Sequence, residues 1–302
     1  MDKITCFIFG HEYLPFTRYE FACWRCGKEK LEQKETLKNK KVLILGSTGM
    51  LGSMVTDYLS KKDDLKVTAF TRKDMDKSFK GYDYIINCVG IIKQKLTNPE
   101  EAIKINSLFP YEIERRKSKN CKVIQIATDC VFSGKKGKYT ETDEHDAIDV
   151  YGKTKSLGEV KSFINIRTSI IGPSKDKVSL LEWFLSQKKN AVIQGYSNHY
   201  WNGVTTLEFA KLCYFIIQRG KSEKSFHYTP RRRGVSKYKL LKIIAKSFNR
   251  EDIKITKYKT ERIDRTLSTI YKYVSTLTID QMIKELADYD YENFGVRKEF
   301  YT

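Results

Sequence analysis

Val42-Leu43-Ile44-Leu45-Gly46-Ser47-Thr48-Gly49-Met50-Leu51-Gly52 decides the fold of this 302-residue chain. Four consecutive apolar residues are what a strand buried on both faces requires, so the run reads as a central strand of a parallel sheet. The glycines behind it are spaced G-x-x-G-x-x-G. They let the backbone approach a phosphate closely, and the amphipathic stretch Met50–Lys61 reads as a helix whose free N–H groups face that phosphate. Strand, glycine turn and helix predict a Rossmann-type, doubly wound α/β sheet. The spacing differs from the G-x-G-x-x-G of the dinucleotide fingerprint.

Reading outward, Leu65–Phe70 is a second strand, followed by Thr71-Arg72-Lys73. No acid stands directly after it to bind a ribose, and Arg72 is placed to clamp a 2′-phosphate. NADPH is therefore the expected cofactor, with NADH the alternative. Too few residues separate Arg72 from Asp83 for a full helix and strand, so the sheet is abbreviated here. Asp83–Asn87 reads as the next strand, and Cys88-Val89-Gly90 as a small-residue turn against the cofactor. Residues 99–119 read as one long helix. Asn106 interrupts its apolar face, either as a structural hydrogen-bonder or as part of a proton relay. Lys122–Ala127 is strand-like and runs into Thr128-Asp129-Cys130-Val131-Phe132. Loops at strand C-termini are where such sheets bind ligands. Thr128 offers a hydroxyl to polarise a carbonyl, and Asp129 either binds a sugar hydroxyl or caps the loop. Tyr151 and Lys155 are four residues apart and share one helix face. A lysine held there lowers a phenol's pKa and makes it a usable proton donor.

These segments carry a resemblance. Gly46–Gly52, Thr128–Phe132, Val150–Glu159 and Arg167–Gly172 together resemble an extended short-chain dehydrogenase/reductase of the dTDP-4-dehydrorhamnose reductase-like branch, over about residues 40–300. The resemblance implies that Tyr151 protonates a C4 carbonyl oxygen, that Lys155 binds the nicotinamide ribose and that Thr128 orients the carbonyl. It also implies that Gly46, Thr48, Gly49, Met50, Leu51, Gly52, Arg72, Cys88, Val89, Gly90 and Ala127 line the cofactor, along with Tyr151 and Lys155. The branch has a tyrosine where this chain has Cys130, and a tryptophan where it has Ile170. Both changes thin the aromatic wall of the sugar pocket and loosen the link to dTDP-rhamnose itself. The implied activity is reduction of the 4-keto group of a nucleotide-linked deoxysugar, for polysaccharide or glycan precursors. An epimerase or dehydratase of the same fold is one alternative, and a non-catalytic NADP-binding regulatory subunit is another.

Residues 40–175 read as the cofactor domain. Residues 176–302 read mainly as the substrate region, with some segments returning to the first domain. Leu180–Gln187, Thr205–Arg219 and Ser236–Phe248 read as amphipathic helices, and Ser236 as an N-cap. Asn198-His199-Tyr200-Trp201-Asn202-Gly203 reads as a polar-aromatic loop. Asn198, Trp201, Arg265, Asp129, Cys130 and Ile170 are the candidate substrate contacts. Trp201 either stacks on the ligand or plugs the core. Arg265 either pairs with a diphosphate bidentately or lies on the surface.

Residues 1–39 stand apart. Cys6, His11, Cys23 and Cys26 fall within 21 positions and include a Cys-x-x-Cys-Gly knuckle. They read as the four ligands of a structural zinc in a ribbon-like module, the other reading being an N-terminal extension with incidental cysteines.

Composition bounds the rest. With 40% hydrophobic residues the chain can build a core. No apolar run approaches a membrane-spanning length and the N-terminus is unlike a signal peptide, so no membrane partner is expected and the cytoplasm is the expected location. The net charge of +19 comes from scattered lysines whose densest cluster is Arg231-Arg232-Arg233. It reads as a basic solvated surface that attracts an anionic nucleotide-sugar rather than a nucleic-acid site. Cys88, Cys121, Cys130 and Cys213 read as buried thiols. Oligomeric state is open, a homodimer among the options.

Overall fold

The computed structural model describes residues 39–174, 178–220, 222–231, 234–271 and 273–289, together with the backbone of three short N-terminal strands. Those strands, β1 (Tyr13–Pro15), β2 (Phe21–Cys23) and β3 (Glu29–Lys30), form an antiparallel sheet in sequence order. They belong to a separate unit, residues 1–38. The zinc reading of Cys6, His11, Cys26 and the Cys23 side chain falls outside the described residues. Among the described residues, no group of three or more His, Cys, Asp or Glu side chains could hold a metal ion.

Residues 39–302 form the second unit, built on a six-stranded parallel sheet. Its strands are β4 (Lys40–Leu45), β5 (Leu65–Phe70), β6 (Tyr84–Asn87), β7 (Lys122–Ala127), β8 (Ile164–Arg167) and the later β13 (Ser225–His227). Their order is β13-β8-β7-β6-β4-β5. The continuous apolar runs have a direct cause. Val42 and Ile44 enter one hydrophobic cluster while Leu43 and Leu45 enter another, and all four are fully buried. Successive side chains on a strand point to opposite faces, so a strand with a core on each side favours apolar residues throughout; Asn87, Gln125 and Asn165 are buried in the neighbouring strands only because their amides bond one another.

α1 (Met50–Ser60) follows the glycine turn and packs against α6 (Thr206–Arg219). Between β5 and β6 there is only a 3₁₀ turn, Arg72–Asp74, and among the described residues no further strand pairs beyond β5. The expected long helix is present but altered. α2 (Pro99–Ala102) passes through a π-helical stretch, Ile103–Leu108, into α3 (Phe109–Arg116). Pro110 has no N–H with which to close an α-helical bond to the Asn106 carbonyl. The wider turn directs Asn106 inward, where it is buried.

α4 (Val150–Leu157) lies beside this π stretch. A short pair, β9 (Ile170–Ile171) with β12 (Val204–Thr205), leads into α6. Beyond α5 (Leu180–Leu185), β10 (Val192–Tyr196) pairs in parallel with β15 (Lys254–Tyr258). The stretch read as a polar-aromatic loop contains β11 (His199–Trp201), the middle strand of a small sheet with β14 (Val235–Ser236) and β16 (Ile263–Asp264). Its partners are remote in sequence, so no local pattern announces it. Ser236 caps α7 (Lys237–Ser247) by accepting the Lys239 N–H, and α8 (Ile279–Asp288) closes the described chain. No helix among the described residues is long and apolar enough to cross a membrane.

Under the sheet's C-terminal edge, Arg167 donates from Nε and Nη2 to both carboxylate oxygens of Glu159, the shortest contact being 2.6 Å. Both side chains are buried. Removing the carboxylate strands a buried guanidinium, a change that costs about 3–5 kcal/mol. Glu159→Gln is therefore expected to lower urea-unfolding stability by about that amount, and a loss under about 1 kcal/mol would show the pair to be dispensable.

Candidate active site

The chain leaves β4 to build β5 on one side and then returns to place β6 on the other. The crevice at the C-terminal ends of β4 and β6 is thus the switch point of the sheet, where open α/β sheets bind ligands. Three glycines shape one wall. Gly46 takes φ +76°, a conformation that favours glycine, and Val89 packs 3.0–3.1 Å from where its Cβ would be. Gly49 donates to the Gly46 carbonyl at 3.0 Å and is the N-cap of α1. A Cβ on Gly52 would run into that same carbonyl, so helix and turn touch backbone to backbone. Thr48 and Gly49 are exposed, Met50 is half-buried and Leu51 is buried in the core. No side chain caps α1 and no acid lies in its first turn, so its N–H groups face the crevice unopposed.

After β5, the nearest acid is Asp74. Its carboxylate accepts from the Thr71 N–H and hydroxyl and from Lys77, in a local capping box. Arg72 and Lys73 are left exposed beside the turn.

The opposite wall carries Thr128, Tyr151 and Lys155. Ala127 is buried at the end of β7, and Thr128 follows it. The Thr128 hydroxyl accepts the Cys130 N–H at 3.1 Å, donates to Asp129 at 3.2 Å and hydrogen-bonds the Tyr151 phenol. Burial pushes the phenol above its ordinary pKa, the neighbouring Cys130 and Asp129 add to this, and the Thr128 bond opposes it. Tyr151 is thus held protonated, where a lowering by Lys155 was expected. Lys155 is buried and donates from Nζ to the Ile126 carbonyl at 2.9 Å. Burial lowers its pKa to about 8, with the Glu159 carboxylate acting against the shift.

Asn106 links the two walls. It accepts the Ile91 N–H at 2.9 Å, donates to the Ile91 carbonyl at 3.1 Å and reaches the Thr154 hydroxyl at 3.3 Å. This sets Gly90 where a Cβ would stand 3.3 Å from Asn106 Oδ1 and 3.9 Å from the Lys155 ammonium. With its amide engaged on both sides, Asn106 acts here as a positioning residue. Cys88 is a half-buried thiol, pushed up to about 12 chiefly by burial.

The candidate substrate contacts divide. Asp129 and Cys130 lie beside Tyr151; burial raises both, the thiol to about 12. Arg265 donates from Nε to the Phe132 carbonyl at 2.9 Å, and its charge acts on Asp129, Cys130 and Asp149, which places it at the site. Ile170 is half-buried in β9. Asn198 and Trp201 are engaged internally. Asn198 donates to the Thr260 carbonyl and accepts the Thr260 N–H, while Trp201 is buried and donates from Nε1 to Ser169 at 2.9 Å.

Sequence reasoning missed Asp149 and Lys93. Asp149 caps α4 by accepting the Gly152 N–H at 2.8 Å, and its other oxygen holds Lys93 at 3.0 Å. This ties the loop after β6 to the helix that carries Tyr151. The Asp149-x-x-Gly152 cap was legible; the ion pair was not. Lys237 was also missed, although its charge acts on Asp129 and His199.

The strand order, the glycine turn at the switch point and the Thr128/Tyr151/Lys155 cluster define a protein of the short-chain dehydrogenase/reductase class. A family model described as the RmlD substrate binding domain matches residues 40–269, and the chain belongs to that family. It is 32% identical over 133 residues to the spore coat polysaccharide biosynthesis protein SpsK of Bacillus subtilis (strain 168), a match covering 39% of this chain and 47% of SpsK. It is 28% identical over 135 residues to a dTDP-4-dehydrorhamnose reductase of Aggregatibacter actinomycetemcomitans, covering 39% and 45%. The chain spans about half the length of the curated relatives it matches. Among solved structures, a dTDP-4-dehydrorhamnose reductase of Clostridium acetobutylicum superposes with a TM-score of 0.68 at 22% identity, over 82% of this chain and 98% of that one. The Bacillus anthracis reductase, solved with NADP, gives 0.67 at 17% over the same shares. At these identities the structural likeness shows the fold.

The lysine carries a prediction of its own. Its neutral form is favoured in the fold, so the cost of burying the ammonium is present in full below about 8 and fades as pH rises towards the ordinary 10.5. In NMR of the protein with labelled lysines, a resonance that disappears in Lys155→Arg should titrate near 8. A resonance titrating above 10 would show that the amine is not desolvated.

Proposed function

We propose that the chain is an NADPH-dependent reductase of the 4-keto group of a nucleotide-linked deoxysugar. The observation that carries this reading is the meeting of Thr128, Tyr151 and Lys155 at the sheet's switch point, opposite the glycine turn. The residues fit the cofactor. Gly46, Gly49 and the uncapped start of α1 suit a pyrophosphate. The exposed Arg72 suits a 2′-phosphate, while the nearest acid is spent on its own turn. Lys155 has N–H donors beyond its bond to Ile126 to offer ribose hydroxyls. When bound, the dinucleotide supplies the hydride.

The chain's own residues do the rest. Thr128 and Tyr151 hold the carbonyl oxygen between two hydroxyls. Tyr151, protonated at neutral pH, gives its proton to that oxygen as negative charge develops there. The Lys155 ammonium stabilises the resulting phenolate. Arg265 and Lys237, on the substrate side, suit the diphosphate of a nucleotide-sugar. SpsK's name as a polysaccharide biosynthesis protein and the second relative's name as a reductase support the same reading.

One feature favours a second reading, an epimerase or dehydratase. Asp129 is a carboxyl raised by burial beside the phenol, suited to moving a proton. Cys130 supplies no second carboxylate, and net NADPH consumption separates the two readings. NADPH oxidation is expected with at least one of a panel of dTDP-, UDP- and GDP-linked 4-keto sugars. Tyr151→Phe should lose about 10²–10⁴-fold in kcat while still binding NADPH. No turnover of any panel member, or full activity in the variant, would overturn the proposal.

A further inference from the structure

Lysines that read as scattered along the sequence are gathered by the fold around one small sheet. β10 and β15 pair in parallel, with Val192 opposite Lys254, Gln194 opposite Thr256 and Tyr196 opposite Tyr258. α7 packs on one face of this pair, where Ile193 is buried and a Cβ on Gly195 would stand 2.8 Å from Tyr238 Cα. The alternate residues point the other way. Val192 is 65%, Tyr196 39% and Tyr258 40% exposed, and Gln194 and Lys254 are exposed with them. Parallel strands are ordinarily covered on both faces; among the described residues, this pair is covered on one.

Two properties of the bare face and its rim point to the same ligand. The first is its rings. Five aromatic side chains are exposed among the described residues, and Tyr196, Tyr200 and Tyr258 are three of them. Tyr196 stacks on His199, with ring centroids 4.3 Å apart and planes 8° from parallel, and Tyr258 lies 5.5 Å from Tyr196 on its other strand. The Arg262 guanidinium lies over the Tyr200 ring at 5.5 Å. The second is charge. Residues 186–200 and 235–262 carry eleven Lys and Arg against three Asp and Glu, with no acid at all in 188–200 or 235–249. The ion pairs here are Arg250 with Asp252 and Arg262 with Asp264, which leave the exposed Lys242, Lys254, Lys257 and Lys259 unneutralised among the described residues. Lys242 and Lys257 flank the Tyr238 ring at 5.5 and 5.7 Å, so the cations continue round the edge of the sheet.

Cations set among exposed rings suit a single nucleic-acid strand, whose phosphates follow the cations while its bases stack on the rings. A duplex keeps its base faces stacked on one another and would leave the rings unused. A charged polysaccharide would meet the cations but has no π-face to offer the rings. We propose that the bare face of β10 and β15 binds single-stranded nucleic acid, with bases on Tyr196 and Tyr258 and phosphates on Lys254, Lys257 and Lys259. None of these five side chains belongs to the Thr128, Tyr151 and Lys155 cluster, so binding here does not depend on the reductase activity.

The test is fluorescence anisotropy of the full chain with a labelled oligothymidylate of about 16 nucleotides. It is run over a salt series, with circular dichroism confirming the fold of each variant. Wild type should bind, with the logarithm of the association constant falling linearly against that of the salt concentration. Tyr196→Ala and Tyr258→Ala together should weaken binding about tenfold or more. The same variant should bind dextran sulfate, a polyanion without bases, as wild type does. If it fails to fold, Tyr258→Leu, which keeps apolar bulk and removes the π-face, should show the same selective loss. Lys254→Glu with Lys257→Glu should weaken binding of both polyanions and flatten the salt dependence. No binding of the oligothymidylate would overturn the proposal. So would tyrosine variants that bind it as wild type does, an equal loss for dextran sulfate, or equal affinity for a duplex of the same length.

Discussion

A buried ammonium organises this protein. Lys155 lies beneath the sheet's C-terminal edge and is held by the Ile126 carbonyl, its pKa drawn down to about 8 by burial. A cation in such a place needs support. The Glu159 carboxylate supplies it, and Glu159 is fixed in turn by Arg167 at the end of β8. The lysine's neighbours are set together with it: Gly90 stands close by, packed most tightly against Asn106, Asn106 holds Ile91, and the helix that carries Lys155 also carries Tyr151. The proposed proton donor and the proposed cofactor wall thus share a common set of hydrogen bonds.

Much of the frame was legible in the sequence, for a physical reason. Strand β4 is buried on both faces, so its apolar run is unbroken and its limits can be read directly; in β7 the run is interrupted by the buried Gln125. The abbreviated region after Arg72 was readable from chain length alone. What could not be read depends on remote partners. His199–Trp201 looks like a loop because its strand pairing is with Val235–Ser236 and Ile263–Asp264. The π-helical stretch follows from Pro110 and the inward pull on Asn106, which hydrophobic periodicity does not register. At the site, residues close in sequence could be grouped: Thr128 with Asp129, Tyr151 with Lys155. Lys93 and Asp149, 56 residues apart, could not.

The substrate side is less aromatic and more basic than the reading of Asn198 and Trp201 suggested. Both are tied into the small sheet and its neighbours, where Trp201 fills the core and Asn198 clamps Thr260. Arg265 and Lys237 instead bring positive charge to Asp129 and the mouth of the crevice. On the proposed function, the ligand is anionic, and its charge, more than its stacking, decides how it lies. The overall charge of +19 would draw such a ligand in.

The central claim is that these residues serve direct hydride transfer to a sugar carbonyl. The most direct measurement uses NADPH carrying deuterium at the transferable position of its nicotinamide, with mass spectrometry and NMR of the sugar formed. Deuterium on C4 of the reduced sugar, one atom for each NADPH consumed, is the predicted result. A product that carries no deuterium, or carries it at another carbon, would contradict the account.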